Sequence, residues 1–190
     1  LAARLRHWFN RNSRAGSKRN IMSHYDLGNE FYRLWLDASM SYSAAIFRPE
    51  DDGSLLAAQH AKYRRILDRL DAARGDHVLE IGCGWGGFAE LAVADGLRVT
   101  GLTLSPAQLE WAQGRVPGAD LRLQDYRDTR ESYDHVVSIE MFEAVGEKWW
   151  PAYFSTVAKA LKTTGRAVIQ SITIDDALFA AYRRGTDFIQ

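Results

Sequence analysis

Cysteine is almost absent from this sequence, which has Cys83 alone among its 190 residues. A single cysteine excludes an intrachain disulfide and favours a protein of a reducing compartment. The sequence also lacks any apolar run close to the ~20 residues that a membrane-spanning helix needs, and it shows no secretory signal peptide. We therefore expect a cytoplasmic protein without a membrane span.

Net charge is also absent, because 24 Lys and Arg residues balance 24 Asp and Glu residues. Acids are missing from residues 1–25, which carry the cations Arg4, Arg6, Arg11, Arg14, Lys18 and Arg19. Apolar residues are interleaved with these cations at Leu1, Leu5, Trp8 and Phe9. We expect an amphipathic segment over 1–22 that binds anionic lipid headgroups, to which each cation contributes roughly 1 kcal/mol. Nucleic acid would attract the same charges, and a solvated helix or linker is the alternative without a partner.

The rest of the chain alternates between strand and helix patterns. A first strand ends at Glu80, and further strands are predicted over 97–104, 119–124, 133–139 and 166–174. Helices are predicted over 54–70, 88–95, 106–115 and 148–162, the third with Ser105 as its N-cap. This alternation predicts an α/β fold, a Rossmann-like, doubly wound and mainly parallel sheet with helices on both faces. Ligands of such sheets bind beyond the carboxyl ends of the strands.

A glycine turn follows the first strand, since four of the six residues over 82–87 are glycine. Gly82, Gly84 and Gly87 satisfy the dinucleotide-binding pattern, which is weak evidence by itself. A nicotinamide enzyme also needs an acid about twenty residues on, and 102–104 has none. An acid before the turn and an Asp after the third strand are instead typical of S-adenosylmethionine methyltransferases. We expect Cys83 to fill space in this turn rather than act as a nucleophile.

Several motifs occur in an order that resembles the cyclopropane-fatty-acyl-phospholipid synthase family, which includes the mycolic acid cyclopropane synthases. They are the run 24–29, the pair 42–43, the glycine turn with its strand, the run 101–105 with Gln108, and the runs 124–127 and 138–143. The family continues past residue 190, so we expect the chain to be truncated at its C-terminus and to turn over little. The resemblance implies a basic segment over 1–22, a helical cap over 23–75 and an incomplete methyltransferase core over 76–190.

The resemblance implies S-adenosylmethionine as cofactor and assigns its binding to Tyr42, Ser43, Glu80, Gly82, Gly84, Thr103, Gln108, Asp125 and Tyr126. The pair 42–43 would bind the methionine portion, with the turn 82–84 beneath it. Positions 103 and 108 would lie near the ribose, and positions 125 and 126 near the adenine. No metal site is expected.

The reaction implied is methyl transfer onto the cis double bond of a phospholipid acyl chain, followed by proton loss and closure of a cyclopropane. In the family a bicarbonate ion takes the proton, held partly by the Glu that corresponds to Glu143. Gln170 stands where the family has a catalytic His, and Ala44 stands where a Cys often contacts the anion. Because Gln170 cannot titrate near neutral pH, a methylene or methyl branch stays open as the product. Glu140, which replaces a small residue of the family, has no role by resemblance.

The expected partners are unsaturated acyl chains at the inner membrane surface, where the protein would be peripheral. We expect no nucleic-acid partner, and a homodimer stays open. A methyltransferase acting on a soluble small molecule is one alternative, although the basic aromatic N-terminus argues against it. A non-catalytic cofactor-fold module is another, although Glu80, Gly82, Gly84 and Gln108 argue for retained binding.

Overall fold

The computed structural model describes residues 27–182 and contains one parallel sheet. Its strands are β1 (His77–Ile81), β2 (Arg98–Thr103), β3 (Asp120–Leu123), β4 (Tyr133–Ile139) and β5 (Leu161–Gln170). They lie in the order β3-β2-β1-β4-β5, and each neighbouring pair is parallel. The order reverses between β1 and β4, so the crevice of this doubly wound sheet lies between their carboxyl ends. The predicted α/β fold is confirmed.

Helices precede and connect these strands. They are α1 (Gly28–Arg33), α2 (Leu55–Leu70), α3 (Gly87–Ala94), α4 (Pro106–Arg115), α5 (Trp150–Ala160) and α6 (Asp176–Tyr182). The prediction for α4 is confirmed, including its cap, because the Ser105 hydroxyl accepts a hydrogen bond from the Gln108 backbone N–H. No helix within 27–182 has the length and apolar composition that crossing a bilayer requires.

The sheet separates two apolar cores because successive residues of a strand point to opposite faces. On one face, Val78 and Val137 pack with residues of α2, α3 and α4. On the other, Leu79 and Val136 pack with α5. Thus α2 shares one apolar core with β1 and with the crossover helices α3 and α4. The division of the chain into a cap over 23–75 and a core stays a prediction, and the basic segment 1–22 lies outside the described residues.

The boundary between α5 and β5 differs from the prediction. The helix ends at Ala160 and the strand begins at Leu161, whereas the sequence pattern predicted a helix over 148–162 and a strand from 166. A Cβ on Gly165 would lie 2.5 Å from the Asp134 carbonyl oxygen of β4. Gly165 is therefore a point of close backbone approach within a strand, where the β4–β5 register is irregular, and not a helix stop.

The aromatic residues of α1 also differ from the prediction. Helical spacing predicted that Phe31, Leu34 and Trp35 pack in the core, but they are 41%, 81% and 48% exposed. Tyr32 is the buried residue of this helix, and it packs with Met40 and Trp85 in a small separate cluster. Leu55, predicted on the apolar face of α2, is also exposed. Spacing alone identified a helix but not the side that it buries.

Candidate functional site

The carboxyl ends of β1, β2, β4 and β5 bring most of the predicted site residues to one edge of the sheet. Parallel pairing aligns Ile81 with Leu102 and Ser138, and it aligns Ile139 with Gln170. The glycine turn, the β2–α4 loop and the loops after β4 and β5 therefore start side by side. This confirms that parallel topology gathers segments that are far apart in sequence.

The glycine turn has a backbone conformation that glycine adopts without strain. Gly82, Gly84 and Gly86 all have positive φ, at 86°, 51° and 84°. The N–H groups of Gly82 and Cys83 both donate to the Leu102 carbonyl at 2.9 Å, which fixes the turn against β2. A Cβ on Gly84 would meet no atom within 4 Å, so this glycine faces open space. The turn thus forms a cradle that a ligand can approach closely.

The cysteine within this turn is not available for chemistry. Cys83 is 4% exposed, and burial raises the pKa of its thiol well above the usual value. A Cβ on the neighbouring Gly101 would meet the Cys83 side chain, so the thiol fills the space between β2 and the turn. A buried neutral thiol is inert as a nucleophile, in agreement with the interpretation of Cys83 as a space-filler.

A buried carboxyl group and a buried lysine side chain lie behind the cradle. Glu80 is 2% exposed, and burial raises its pKa to about 8, with Lys62 acting in the opposite direction. Lys62 is 0% exposed, and burial lowers its pKa to about 8 against the attraction of Glu140, Glu80 and a third carboxylate. Within residues 27–182, Glu80 Oε2 has no hydrogen-bond partner. An orphaned buried oxygen beside a glycine cradle is the arrangement expected where a cationic ligand group binds.

The pair 42–43 lies on an extended segment that is tied to α2. Lys62 Nζ donates to Ser43 Oγ at 2.5 Å, and Gln59 Nε2 donates to the Ser43 carbonyl at 2.8 Å. Tyr42 is 42% exposed, and its ring contacts those of Tyr32 and Trp35 at centroid distances of 5.7 Å and 5.3 Å. Ser43 therefore anchors the segment, and Tyr42 presents an aromatic surface on the outer side.

Thr103 and Gln108 are brought together at the end of β2. Thr103 Oγ1 donates to Gln108 Oε1 at 3.0 Å, and both side chains are buried. The Ser105 backbone N–H donates to Thr103 Oγ1 at 3.1 Å. The bond to Thr103 fixes which way round the Gln108 amide lies, which is the pre-organisation that a polar ligand contact needs.

Asp125 and Tyr126 follow β3 in a short turn. Both carboxylate oxygens of Asp125 contact the Arg127 side chain, at 2.8 Å and 2.5 Å, and Oδ1 also caps the Arg127 N–H. The half-buried Tyr126 ring packs edge-on against Tyr153 at 5.6 Å. These contacts explain both residues as parts of the turn, and they leave the assignment to an adenine site as a proposal.

Glu143 lies where the loops after β4 and β5 meet. Its Oε1 accepts a hydrogen bond from Ser171 Oγ at 2.9 Å and another from the backbone N–H of Ile172. The residue belongs to a single 3-10 turn, Phe142–Ala144, without a side-chain capping bond. Glu143 therefore connects two loops instead of capping a helix, and its carboxylate is held at the carboxyl edge of the sheet.

Glu140 is a site residue that the motifs did not identify. Its Oε1 accepts hydrogen bonds from the Ala44 N–H at 3.0 Å and from Gln170 Nε2 at 2.8 Å. Its φ of 48° lies in the left-handed region, which costs a non-glycine residue roughly 1–2 kcal/mol. An available signal was its place directly after a strand, at the edge where ligands bind. The departures Ala44 and Gln170 and the unexpected Glu140 are thus one hydrogen-bonded cluster.

These residues fit S-adenosylmethionine better than a metal ion. The cofactor has an ammonium and a sulfonium, for which the orphaned Glu80 oxygen and the Tyr42 ring are suitable neighbours. Gly84 leaves room for the cofactor to approach the protein backbone closely. No group of His, Cys, Asp and Glu within residues 27–182 has the arrangement of a metal site.

Comparison with known proteins gives consistent matches. The profile of the family described as mycolic acid cyclopropane synthetase matches residues 12–190. The tuberculostearic acid methyltransferase UfaA1 of Mycobacterium tuberculosis is 40% identical over 94% of this chain and 44% of its own length. The cyclopropane-fatty-acyl-phospholipid synthase of Escherichia coli K12 is 41% identical over 78% of this chain and 39% of its own length.

Solved structures agree with the sequence matches. The mycolic acid cyclopropane synthase CmaA1, complexed with SAH and CTAB, superposes with a TM-score of 0.77 and 34% identity, over 80% of this chain and 55% of that one. MmaA2 from Mycobacterium tuberculosis superposes with a TM-score of 0.81 and 31% identity, over 90% and 62%. The chain spans less than half the length of the two curated relatives above. On the profile match and these relatives, the chain belongs to the mycolic acid cyclopropane synthetase family.

Proposed function

We propose that this protein transfers a methyl group from S-adenosylmethionine to the cis double bond of an unsaturated fatty acyl chain. The observation that carries the proposal is the meeting of a glycine cradle and two held carboxylates, Glu140 and Glu143, at one sheet edge of a member of this family. When bound, the cofactor supplies a methyl group on a sulfonium, which needs no strong base for activation but must be aligned with the attacking carbon.

Residues on several elements would hold the cofactor. Gly82 and Gly84 would lie beneath its methionine portion, with Tyr42 and Ser43 above and Glu80 behind. The pre-organised amide of Gln108, oriented by Thr103, would bind the ribose. Asp125 and Tyr126 would border the adenine. The cofactor bound in the solved structure of CmaA1 is SAH, the demethylated form of the donor, which supports this proposal.

The acyl chain would enter beside Glu143. Its hydrogen-bond donor Ile172 is 66% exposed, and Ile174 and Leu178 on the following segment are also exposed apolar residues. Attack by the alkene π electrons on the methyl group leaves a carbocation on the chain, so water must be excluded until a proton is lost. These exposed side chains would pack against the bound acyl chain and so exclude water from it.

The last step decides the product. Loss of a proton from the added methyl group gives a cyclopropane directly or, after a 1,2-hydride shift has moved the cation to the carbon that bears the methyl group, a methylene branch. Reduction of that methylene branch with the help of another enzyme would give a methyl branch. The resemblance implies a bicarbonate ion as base, contacted by Glu143 and Gln170. The 40% identity to a tuberculostearic acid methyltransferase favours a branched product as the second candidate outcome. Action at the cytoplasmic membrane surface and a homodimeric state are further parts of the proposal.

The test incubates the intact protein, with all residues of its natural chain, with S-adenosylmethionine and two kinds of phospholipid vesicle. One has cis-monounsaturated acyl chains, and the other is identical except for saturated chains. We expect S-adenosylhomocysteine release with the unsaturated vesicles alone, and proton NMR of the extracted lipid then distinguishes a cyclopropane from a branch. Equal release with both lipids, or methylation of headgroups, would refute the proposal.

A further inference from the structure

The donors expected to bind an external anion are already occupied by a side chain of the protein. By resemblance, the anion would contact the chain around Ala44 and the residue at position 170. In this structure the Ala44 N–H and Gln170 Nε2 both donate to Glu140 Oε1, at 3.0 Å and 2.8 Å. A carboxylate has the same planar pair of oxygens that a bicarbonate presents to such donors.

The backbone holds Glu140 in this position. Its N–H donates to the Gln170 carbonyl at 2.9 Å, which continues the β4–β5 pairing past Ile139. Glu140 itself has a positive φ, and within 27–182 only three non-glycine residues do. Strained conformations of this kind persist where the surroundings enforce them, and they concentrate at functional sites. Three separate hydrogen bonds at Glu140 therefore enforce one side-chain placement.

The position also suits proton transfer. Ala44 directly follows the pair 42–43, which the proposed function places at the methyl-bearing end of the cofactor. Lys62, which donates to Ser43, lies close enough to Glu140 for charge attraction between the two side chains. Gln170 orients the carboxylate through its amide N–H, and this amide does not act as an acid or a base near neutral pH.

We infer that Glu140 is the proton acceptor of this reaction and takes the place of bicarbonate. The inference rests on the proposed function. The alkene π pair forms the new carbon–carbon bond to the methyl group, and the carbon–sulfur pair stays on sulfur. A Glu140 carboxylate oxygen then takes one proton from the added methyl group, and the C–H electron pair closes the ring onto the adjacent cationic carbon. Where a 1,2-hydride shift has first moved the cation to the carbon that bears the methyl group, the same pair forms a methylene double bond. The proton leaves Glu140 to solvent after product release.

The test compares the intact wild-type protein with Glu140→Gln and Glu140→Gly, in buffer freed of carbon dioxide and with bicarbonate added back. We expect the wild type to be active without bicarbonate and both variants to lose at least 100-fold in turnover, the range of general base catalysis. Glycine suits the backbone at this position and empties the anion space, so bicarbonate should restore Glu140→Gly at least tenfold. Glu110→Gln, at an exposed helix position, is the matched control and should keep wild-type turnover.

A second measurement is independent of turnover. Carbon-13 NMR of labelled bicarbonate should show binding to Glu140→Gly and none to the wild type, while both bind S-adenosylhomocysteine within about threefold. A wild type that requires bicarbonate or binds it as Glu140→Gly does, or a Glu140→Gln that keeps at least half its turnover, would overturn the inference. A wild type inactive on every unsaturated lipid, with or without bicarbonate, would refute the proposed function instead.

Discussion

Single residues at this site combine burial with a titratable side chain, and Glu80 is the clearest case. Burial raises its pKa to about 8, so the folded protein holds a proton that the unfolded chain releases near its ordinary pKa of 4.5. The folded state binds more protons than the unfolded state between these values. The contribution of Glu80 to the free energy of unfolding therefore decreases as pH rises through this window, by at most about 1.4 kcal/mol per pH unit.

We expect Glu80→Gln to remove this dependence. The free energy of unfolding of the variant, minus that of the wild type, should increase between pH 5 and about 8. Urea denaturation at several pH values measures it, with Glu110→Gln as the exposed control whose difference stays constant. A difference that is constant or decreases with pH would contradict the burial of a protonated Glu80.

A substitution at Gly84 has two effects, backbone strain and obstruction of the ligand, and a matched control can separate them. Gly84→Ala should destabilise the fold by about 1 kcal/mol, because an alanine at positive φ is strained, and its methyl would project into the cradle. We expect S-adenosylhomocysteine affinity, measured by calorimetry, to fall at least tenfold.

The matched control is Gly75→Ala, since Gly75 also has positive φ and open space but lies in the turn before β1. It should show a similar loss of stability with unchanged affinity. Equal affinities of the two variants would mean that the cofactor does not lie over Gly84. Absence of binding by the wild type would favour a non-catalytic module.

Residue roles were predictable from the sequence only where they depend on local pattern. The positive φ values of the glycine turn and the cap at Ser105 follow from neighbouring residues. The role of Glu140 depends on donors at positions 44 and 170, which only the folded sheet brings within hydrogen-bond distance. A motif comparison treats Ala44, Glu140 and Gln170 as three separate departures, whereas they make up one cluster.

At the scale of elements, the extended segment between α1 and α2 is held by side chains of distant helices. Arg115, at the end of α4, donates to the carbonyls of Ser39 and Ala38 at 2.7 Å and 3.0 Å and pairs with Glu90 of α3. This single guanidinium connects α4, α3 and the extended segment. It binds that segment just before Tyr42 and Ser43 in the chain.

Arg115→Met should loosen the segment while keeping the aliphatic packing. We expect the free energy of unfolding to fall by about 1.5–3 kcal/mol, the usual contribution of charged hydrogen bonds, and amide exchange over residues 38–44 to accelerate at least tenfold. Hydrogen-exchange mass spectrometry measures the second effect. Arg130→Met, which removes contacts only within its own loop, is the control and should change neither. Unchanged exchange in Arg115→Met would show that other contacts hold the segment.

Element boundaries were predicted well where a cap marks them and poorly where packing decides. The start of α4 was predicted from Ser105 and Pro106. The start of β5 was not, because residues 161 and 162 fell within the predicted helix, whereas Leu161 pairs with Tyr133 of β4 in the structure. In α1, packing with Met40 and Trp85 determines that Tyr32 is the buried residue, whereas helical periodicity had predicted burial of the residues around it.

At the scale of the molecule, the sheet order places the glycine turn, Glu140 and Glu143 at one edge of the sheet. The α/β class and the cofactor turn were predictable because alternating patterns and clustered glycines are local signals. The arrangement of the two carboxylates was not, since Glu143 and Glu140 are held by residues after β5 and before α2. The cofactor-binding turn could therefore be predicted from the sequence, whereas the arrangement of the carboxylates proposed for proton transfer required the folded structure.

The reaction that we propose is methyl transfer to a double bond followed by proton loss from the added carbon, and tracing a deuterated methyl group tests both parts. The intact protein is incubated with methyl-trideuterated S-adenosylmethionine and cis-unsaturated phospholipid, and the acyl chains are analysed by mass spectrometry. We expect a labelled one-carbon unit at the former double bond that has lost one of its three deuterons. Label with all three deuterons retained, or no label in the acyl chains, would contradict it.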